Sequence, residues 1–129
     1  VAGGDVEAEA KYKAAIKASW EMYGVFNQAK YDTYIALPEI AYAAVDGHKK
    51  IMTEKWVHNY LASYEAWKDW RRTGFPVLTP ATDAVDSRGI PMRLGYSPTE
   101  ASLNPVNYAA AVTALGGKDE NYGLMWLVK

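Results

Sequence analysis

Between Lys50 and Arg72 the chain carries Trp56, Tyr60, Tyr64, Trp67 and Trp70, and shortly afterwards it meets Gly74 and Pro76. At about 100° per residue these rings fall within one arc of about 120°. His58, Glu65, Asp69 and Arg72 take the opposite side. A helix with so broad an apolar face is stable only when something is laid along it. Gly74 suits a left-handed cap and Pro76 forbids continuation. The spacing predicts one long helix over 50–72, with its aromatic stripe as a packing seam.

Other segments punctuate themselves in the same way. Tyr12, Ala15, Ile16, Ser19, Trp20 and Tyr23 recur at helical spacing, which predicts a helix over 7–23 capped by Gly24. Tyr31, Tyr34, Ile35, Leu37 and Tyr42 predict helix over 29–45, interrupted at Pro38. A proline inside a helix costs about 3 kcal/mol, so Pro38 is expected to break it and open a second segment. Asp46-Gly47 marks a turn, and Pro80, Asp83, Asp86 and Gly89 make 77–90 a loop. From Ile90 to Asn107 the chain should lie extended, with Asn104-Pro105 starting a short helix that stops at Gly116-Gly117. The tail ENYGLMWLVK, 120–129, is expected to form a short strand or extended segment.

Composition removes whole classes of function. The 129 residues suffice for one domain with a modest core. Fourteen Lys and Arg nearly cancel fifteen Asp and Glu, so no positive field collects a polyanion, and nucleic acid is excluded as a partner. With no cysteine, disulfides, thiolate ligands and a Cys nucleophile are all ruled out. No stretch approaches the roughly 20 apolar residues of a membrane-spanning helix. The opening VAGGDVEAEAKYK lacks the basic and then apolar regions of a signal peptide, and Val1 is expected to follow further chain.

Catalysis finds little support. Glu65 and Asp69 lie one turn apart on one helix, whereas glycoside hydrolysis needs carboxylates facing across a gap of about 5–9.5 Å. A solvated helix face explains both. His48 and His58, the two histidines, have no third ligand at metal spacing. No G-x-S-x-G elbow, P-loop or G-x-G-x-x-G is present. Arg71 falls within the aromatic arc, where it complements the helix dipole and can lie over Trp67. Ten Tyr and five Trp against two Phe favour rings with a polar handle, which suit half-wet surfaces and sugar contacts. Outside the seam, Trp20, Tyr23, Tyr96 and Tyr122 are the rings expected to be exposed.

The Ile51–Trp56 run, EAWKDWRRTGFPVLTPA (65–81) and IPMRLGYSPTEASLNPVNYAAAV (90–112) together resemble the C-terminal part of SusD/RagB-type proteins. Ala18-Ser19-Trp20-Glu21, ending Tyr23-Gly24-Val25, is similar to the family as well. Two features depart from its pattern. Gly116-Gly117 is followed by Lys118-Asp119 rather than directly by Asp, and the chain ends Met125-Trp126-Leu127-Val128-Lys129 rather than on an acid. The resemblance implies an all-α, tetratricopeptide-like helical scaffold with long extended loops, of which residues 1–129 form a single C-terminal region. It implies a surface-exposed outer-membrane lipoprotein, anchored by lipid outside this region. Such a protein captures oligosaccharides or related nutrients, without catalysis or cofactor, for a TonB-dependent SusC-like transporter. It assigns no glycan-binding residue here. Arg71 and Arg72 are expected to tie the helix end to 90–107 through Glu100. A helical-repeat scaffold that binds protein rather than sugar is the alternative.

Overall fold

The computed structural model describes residues 5–84 and 86–123. The chain forms two compact units, Val1–Pro76 and Val77–Lys129. Six α-helices are found among the described residues, and no strand. The first unit holds α1 (Asp5–Met22), α2 (Gln28–Ile35), α3 (Gly47–His58) and α4 (Ser63–Thr73). The second holds α5 (Glu100–Leu103) and α6 (Pro105–Ala114).

Helix α1 ends where the sequence places its stop, with Gly24 at φ 68°. Asn27 then caps α2 by accepting from the Lys30 N–H at 3.0 Å. Beyond Ile35 the expected second helical segment does not form. The Ile40 and Ala41 N–H groups both turn back on Leu37 O, and only turns follow. The buried Lys50 amine takes up the carbonyls this leaves, donating to Pro38 O at 3.1 Å and to Ala41 O at 2.5 Å. A lysine thus replaces the helical N–H donors that Pro38 interrupts. Gly47 opens α3 with the Tyr42 ring against it, so close that a Cβ would lie 2.8 Å from the hydroxyl oxygen.

The core of this unit is built on tyrosine. Tyr12, Ile16 and Tyr31 are buried, and Trp20, Phe26, Tyr34, Ile35, Ile40, Tyr42 and Ile51 pack around them. Each central tyrosine also ends on an acceptor. Tyr12 donates to Ile40 O at 2.9 Å and Tyr31 to Lys13 O at 2.7 Å. Tyr34 donates to Glu54 Oε1 at 2.9 Å. Burial, with Glu54 nearby, pushes the Tyr12 hydroxyl up to about 12, so it remains a donor. Trp20, expected at the surface, instead meets Tyr31 edge-on at 6.0 Å and Tyr34 at 5.2 Å.

The single helix expected over 50–72 is two helices. Asn59–Leu61 tightens into a 3₁₀ turn, and Ala62 leaves helical geometry at φ −113°, ψ 59°. Asn59 is a weak helix former and is buried at the break, and Ser63 favours a helix start. The change of axis divides the aromatic stripe: Tyr60 and Tyr64 are 80% and 68% exposed, while Trp67 and Trp70 are half-buried. The buried residue of α4 is Asp69, which the helical wheel puts on the solvated side. Lys55 of α3 reaches it at 2.6 Å and Arg72 at 3.1 Å. An ion pair therefore joins α3 to α4 where a seam of rings is expected. Gly74 closes α4 at φ 72°.

Two stability predictions follow from these contacts. Tyr12→Phe leaves the Ile40 carbonyl without its donor and is expected to cost about 1–3 kcal/mol, read as a lower urea midpoint with an unchanged slope. For Asp69, the Lys55 ammonium and then the Arg72 guanidinium hold the carboxyl below its usual range, against burial. Its folded value lies below the unfolded one, so its contribution is complete above about pH 4 and is lost as pH falls through the folded value. In Asp69→Asn the urea midpoint should be lower at neutral pH and should fall less steeply with acid than in the wild type.

Candidate functional site

Three places in the chain gather polar or aromatic side chains. The first is the start of α4, where Tyr60 and Tyr64 stand open. Tyr64 meets Trp67 edge-on at 5.9 Å, and the Arg71 guanidinium lies 3.9 Å from the Trp67 ring centre. The sequence expectation for Arg71 over Trp67 is met. Arg72 reaches back three residues to Asp69, and Glu65 pairs with Lys68 at 2.6 Å on the exposed side. With Asp69 closed between two cations, Glu65 and Asp69 do not form an acid–base pair.

A groove of about 610 Å³ runs between α1 and α3. Its wall includes Ala8, Ala15, Ala18, Met22 and Ile51, with polar groups from both helices, Lys11 and Ser19 of α1 and Glu54, Lys55 and His58 of α3. Ser19 Oγ and His58 Nδ1 lie 2.9 Å apart there, and Tyr23 donates to the His58 carbonyl at 2.6 Å. Burial pushes the Glu54 carboxyl up, and the Tyr34 hydroxyl opposes this. Both groups are committed to joining helices. His58 lies within reach of Ser19 as a base would. A nucleophile also needs a third group that orients the base, whereas here the hydroxyl–imidazole contact ties α1 to α3. His48 packs edge-on against Phe75 at 6.0 Å, far in role from a ligand. Among the described residues no group of three His, Cys, Asp or Glu could hold a metal.

In the second unit Arg93 is 5% exposed and organises the loop. Its Nη1 donates to Asp119 Oδ1 at 2.7 Å and to Glu120 O at 3.0 Å. Asp119 also accepts from the Tyr96 N–H and the Tyr108 hydroxyl. Arg93 first, then the Tyr96 amide, keep its carboxyl below the usual range. Tyr96 is 41% exposed, with Tyr108 edge-on at 6.0 Å and the Arg93 guanidinium 4.9 Å from its ring centre. Arg88 bridges Asp86 and Glu120 and lies 4.3 Å from the Tyr122 ring centre, so Tyr122 is half-covered. Its hydrogen bonds lower the Asp86 carboxyl to about 2. Of the four rings expected at the surface, Tyr23 and Tyr96 are exposed, while Trp20 and Tyr122 are half-buried.

Sequence reasoning missed the two organising groups, Asp69 and Arg93. The Asp69–Arg72 spacing is a readable pair on a helix, but its burial depends on Lys55 arriving from another element. Arg93 stands in the quoted Ile-Pro-Met-Arg-Leu run, yet its partner is 26 residues away. The expected helix from Asn104-Pro105 forms, with Pro105 at its first position and Gly116 and Gly117 at positive φ beyond it. The single turn α5 was not anticipated. Most of the expected tail segment, including Met125–Lys129, lies outside the described residues.

Among the described residues no helix is long and apolar enough to cross a membrane. No curated protein sequence matches the chain. Residues 2–97 match a SusD-like family described as "Starch-binding associating with outer membrane". Among solved structures, a chitin-binding protein is 35% identical, with a TM-score of 0.77 over 100% of this chain and 29% of its own. A Bacteroidetes SusD-like protein is 26% identical with a TM-score of 0.85, again over 100% of this chain and 26% of its own. A SusD homolog from Bacteroides fragilis is 25% identical at a TM-score of 0.80, over 100% of this chain and 31% of its own. The chain thus spans less than a third of the length of the structures it matches. All-helical where described, and matched both by pattern and by fold, the chain belongs to the SusD-like family.

Proposed function

We propose that these residues are the C-terminal part of a longer SusD-like lipoprotein. That protein captures oligosaccharides at the bacterial cell surface and passes them to a SusC-like, TonB-dependent transporter in the outer membrane. The observation that carries this reading is the family match over residues 2–97, with its starch-binding, outer-membrane description. The similarity to a chitin-binding protein favours an oligosaccharide over other nutrients. The role is capture without catalysis, and the acidic groups fit this: Asp69 and Asp119 each hold elements together, and Glu54, at the α1/α3 groove, accepts from Tyr34 with no second carboxylate in the described lining.

Within that protein the region acts as scaffold. Its central rings point inward, and their hydroxyls end on backbone carbonyls or on Glu54. Among the described residues Tyr23, Tyr60, Tyr64 and Tyr96 are the exposed tyrosines, and such rings can meet a sugar face. Tyr23, Tyr60 and Tyr64 belong to the first unit and Tyr96 to the second.

Calorimetric titration of the longer protein and of residues 1–129 with chito- and malto-oligosaccharides tests the proposal. Binding by the longer protein with no heat from the shorter chain is the expected result. Binding by both would place the platform among these rings, whereas binding by neither would favour an interaction scaffold that takes protein instead of sugar.

A further inference from the structure

Past α2 the chain turns back on itself, and its oxygens converge. Pro38 O and Ala41 O lie 3.1 and 2.5 Å from the Lys50 Nζ, and Asp46 Oδ2 lies 3.5 Å from it. Two main-chain oxygens and one carboxylate thus surround a single position, and the Lys50 side chain that reaches it is 10% exposed. A buried charge is tolerated when it is paired and hydrogen-bonded, and the turn supplies both. An ammonium head carries three N–H donors and no acceptor, which suits a cage made of oxygens alone.

The cage is held in place by contacts that do not involve the Lys50 side chain. The Ile40 and Ala41 N–H groups close on Leu37 O at 2.9 and 2.7 Å, and the Asp46 N–H on Ala43 O at 3.2 Å. Tyr12 holds Ile40 O, and the Tyr42 ring, 5.8 Å from that of Tyr12, lies against Gly47. Asp46 Oδ1 is buried with no hydrogen-bond partner among the described residues, so the carboxylate keeps acceptor capacity. The distances also select the cation. Mg²⁺ takes an octahedron of ligands at about 2.0–2.1 Å and Ca²⁺ about six to eight oxygens at 2.3–2.6 Å. Oxygens at 2.5, 3.1 and 3.5 Å suit neither ion, but they fit a singly charged head that donates hydrogen bonds.

We propose that the turn over residues 38–46 is a receptor for a primary ammonium ion, which the native chain fills with its own Lys50. The charge inside the cage, rather than the covalent link from the turn to α3, holds the turn in shape. Shortening Lys50 to alanine removes the side chain from Cγ to Nζ, and free propylammonium carries those same atoms. It enters the emptied cage head first and restores the turn. The inference stands apart from what the longer protein captures, because no sugar contact is involved.

Amide hydrogen exchange of peptides covering 36–46, measured on the longer protein, tests this locally. Lys50→Ala should exchange at least about tenfold faster there than the wild type, because charge-assisted hydrogen bonds are lost. Propylammonium chloride should slow that exchange back toward the wild-type rate. Tetramethylammonium chloride at the same ionic strength has no N–H to donate and should leave it fast. Neither salt should change the wild type, whose cage is full. If the variant does not fold, the same comparison is read as refolding yield in the two salts. An unchanged rate in Lys50→Ala, equal effects of the two salts, or no effect of either would overturn the proposal, the last by making the tether the essential part. So would acylation of the Lys50 amine in the native wild type as fast as that of the exposed Lys49.

Discussion

The tyrosine hydroxyl is the group on which the first unit depends. A phenylalanine core would pack α1, α2 and α3 by area alone and leave their relative positions soft. Here each central ring buries apolar surface and then ends on a fixed acceptor in another element. The ring supplies the hydrophobic stabilisation and the hydroxyl fixes direction. This explains why ten tyrosines accompany two phenylalanines. It also lets a chain with three buried hydrophobic residues among those described specify one packing of its helices.

Charge does for α3 and α4 what tyrosine does for the rest. Asp69 lies between Lys55 and Arg72, and the flanking cations stay half in water, so the desolvation cost falls mainly on one carboxylate. The second unit uses the same device with the sign reversed: Arg93 is buried and gathers Asp119 and the Glu120 carbonyl around it. Each unit thus has a buried ion with a partner from elsewhere in the chain: Lys55 of α3 for Asp69, and Asp119, 26 residues on, for Arg93.

What the sequence discloses follows from this arrangement. Helix α1, the stops at Gly24 and Gly74 and the start at Pro105 are readable because they rest on local backbone chemistry. The family resemblance is readable because 65–81 and 90–112 keep their punctuation. The break at Asn59–Leu61 was not legible, since a wheel drawn through it gives an unbroken aromatic arc. Nor was the burial of Asp69, Lys50 and Arg93, where a charged residue on a helix or in a loop reads as solvated until its partners are known. Trp20 misled in the same way, as its neighbours Tyr31 and Tyr34 come from another helix. The candidate site was the least legible part. Exposure of a ring depends on what covers it, and sequence spacing reports only which side of a helix it is on.

The segment from Ala36 to Asp46 meets the rest of its unit through main-chain oxygens as well as through the Ile40 and Tyr42 side chains. Lys50 holds the carbonyls of Pro38 and Ala41, and Tyr12 holds that of Ile40. A carbonyl is present whatever residue carries it. Positions here other than Ile40 and Tyr42 can therefore change in composition, whereas a residue added between Pro38 and Ala41 would carry some of these oxygens out of reach of their donors. The segment has the look of a variable loop and the length discipline of a core element.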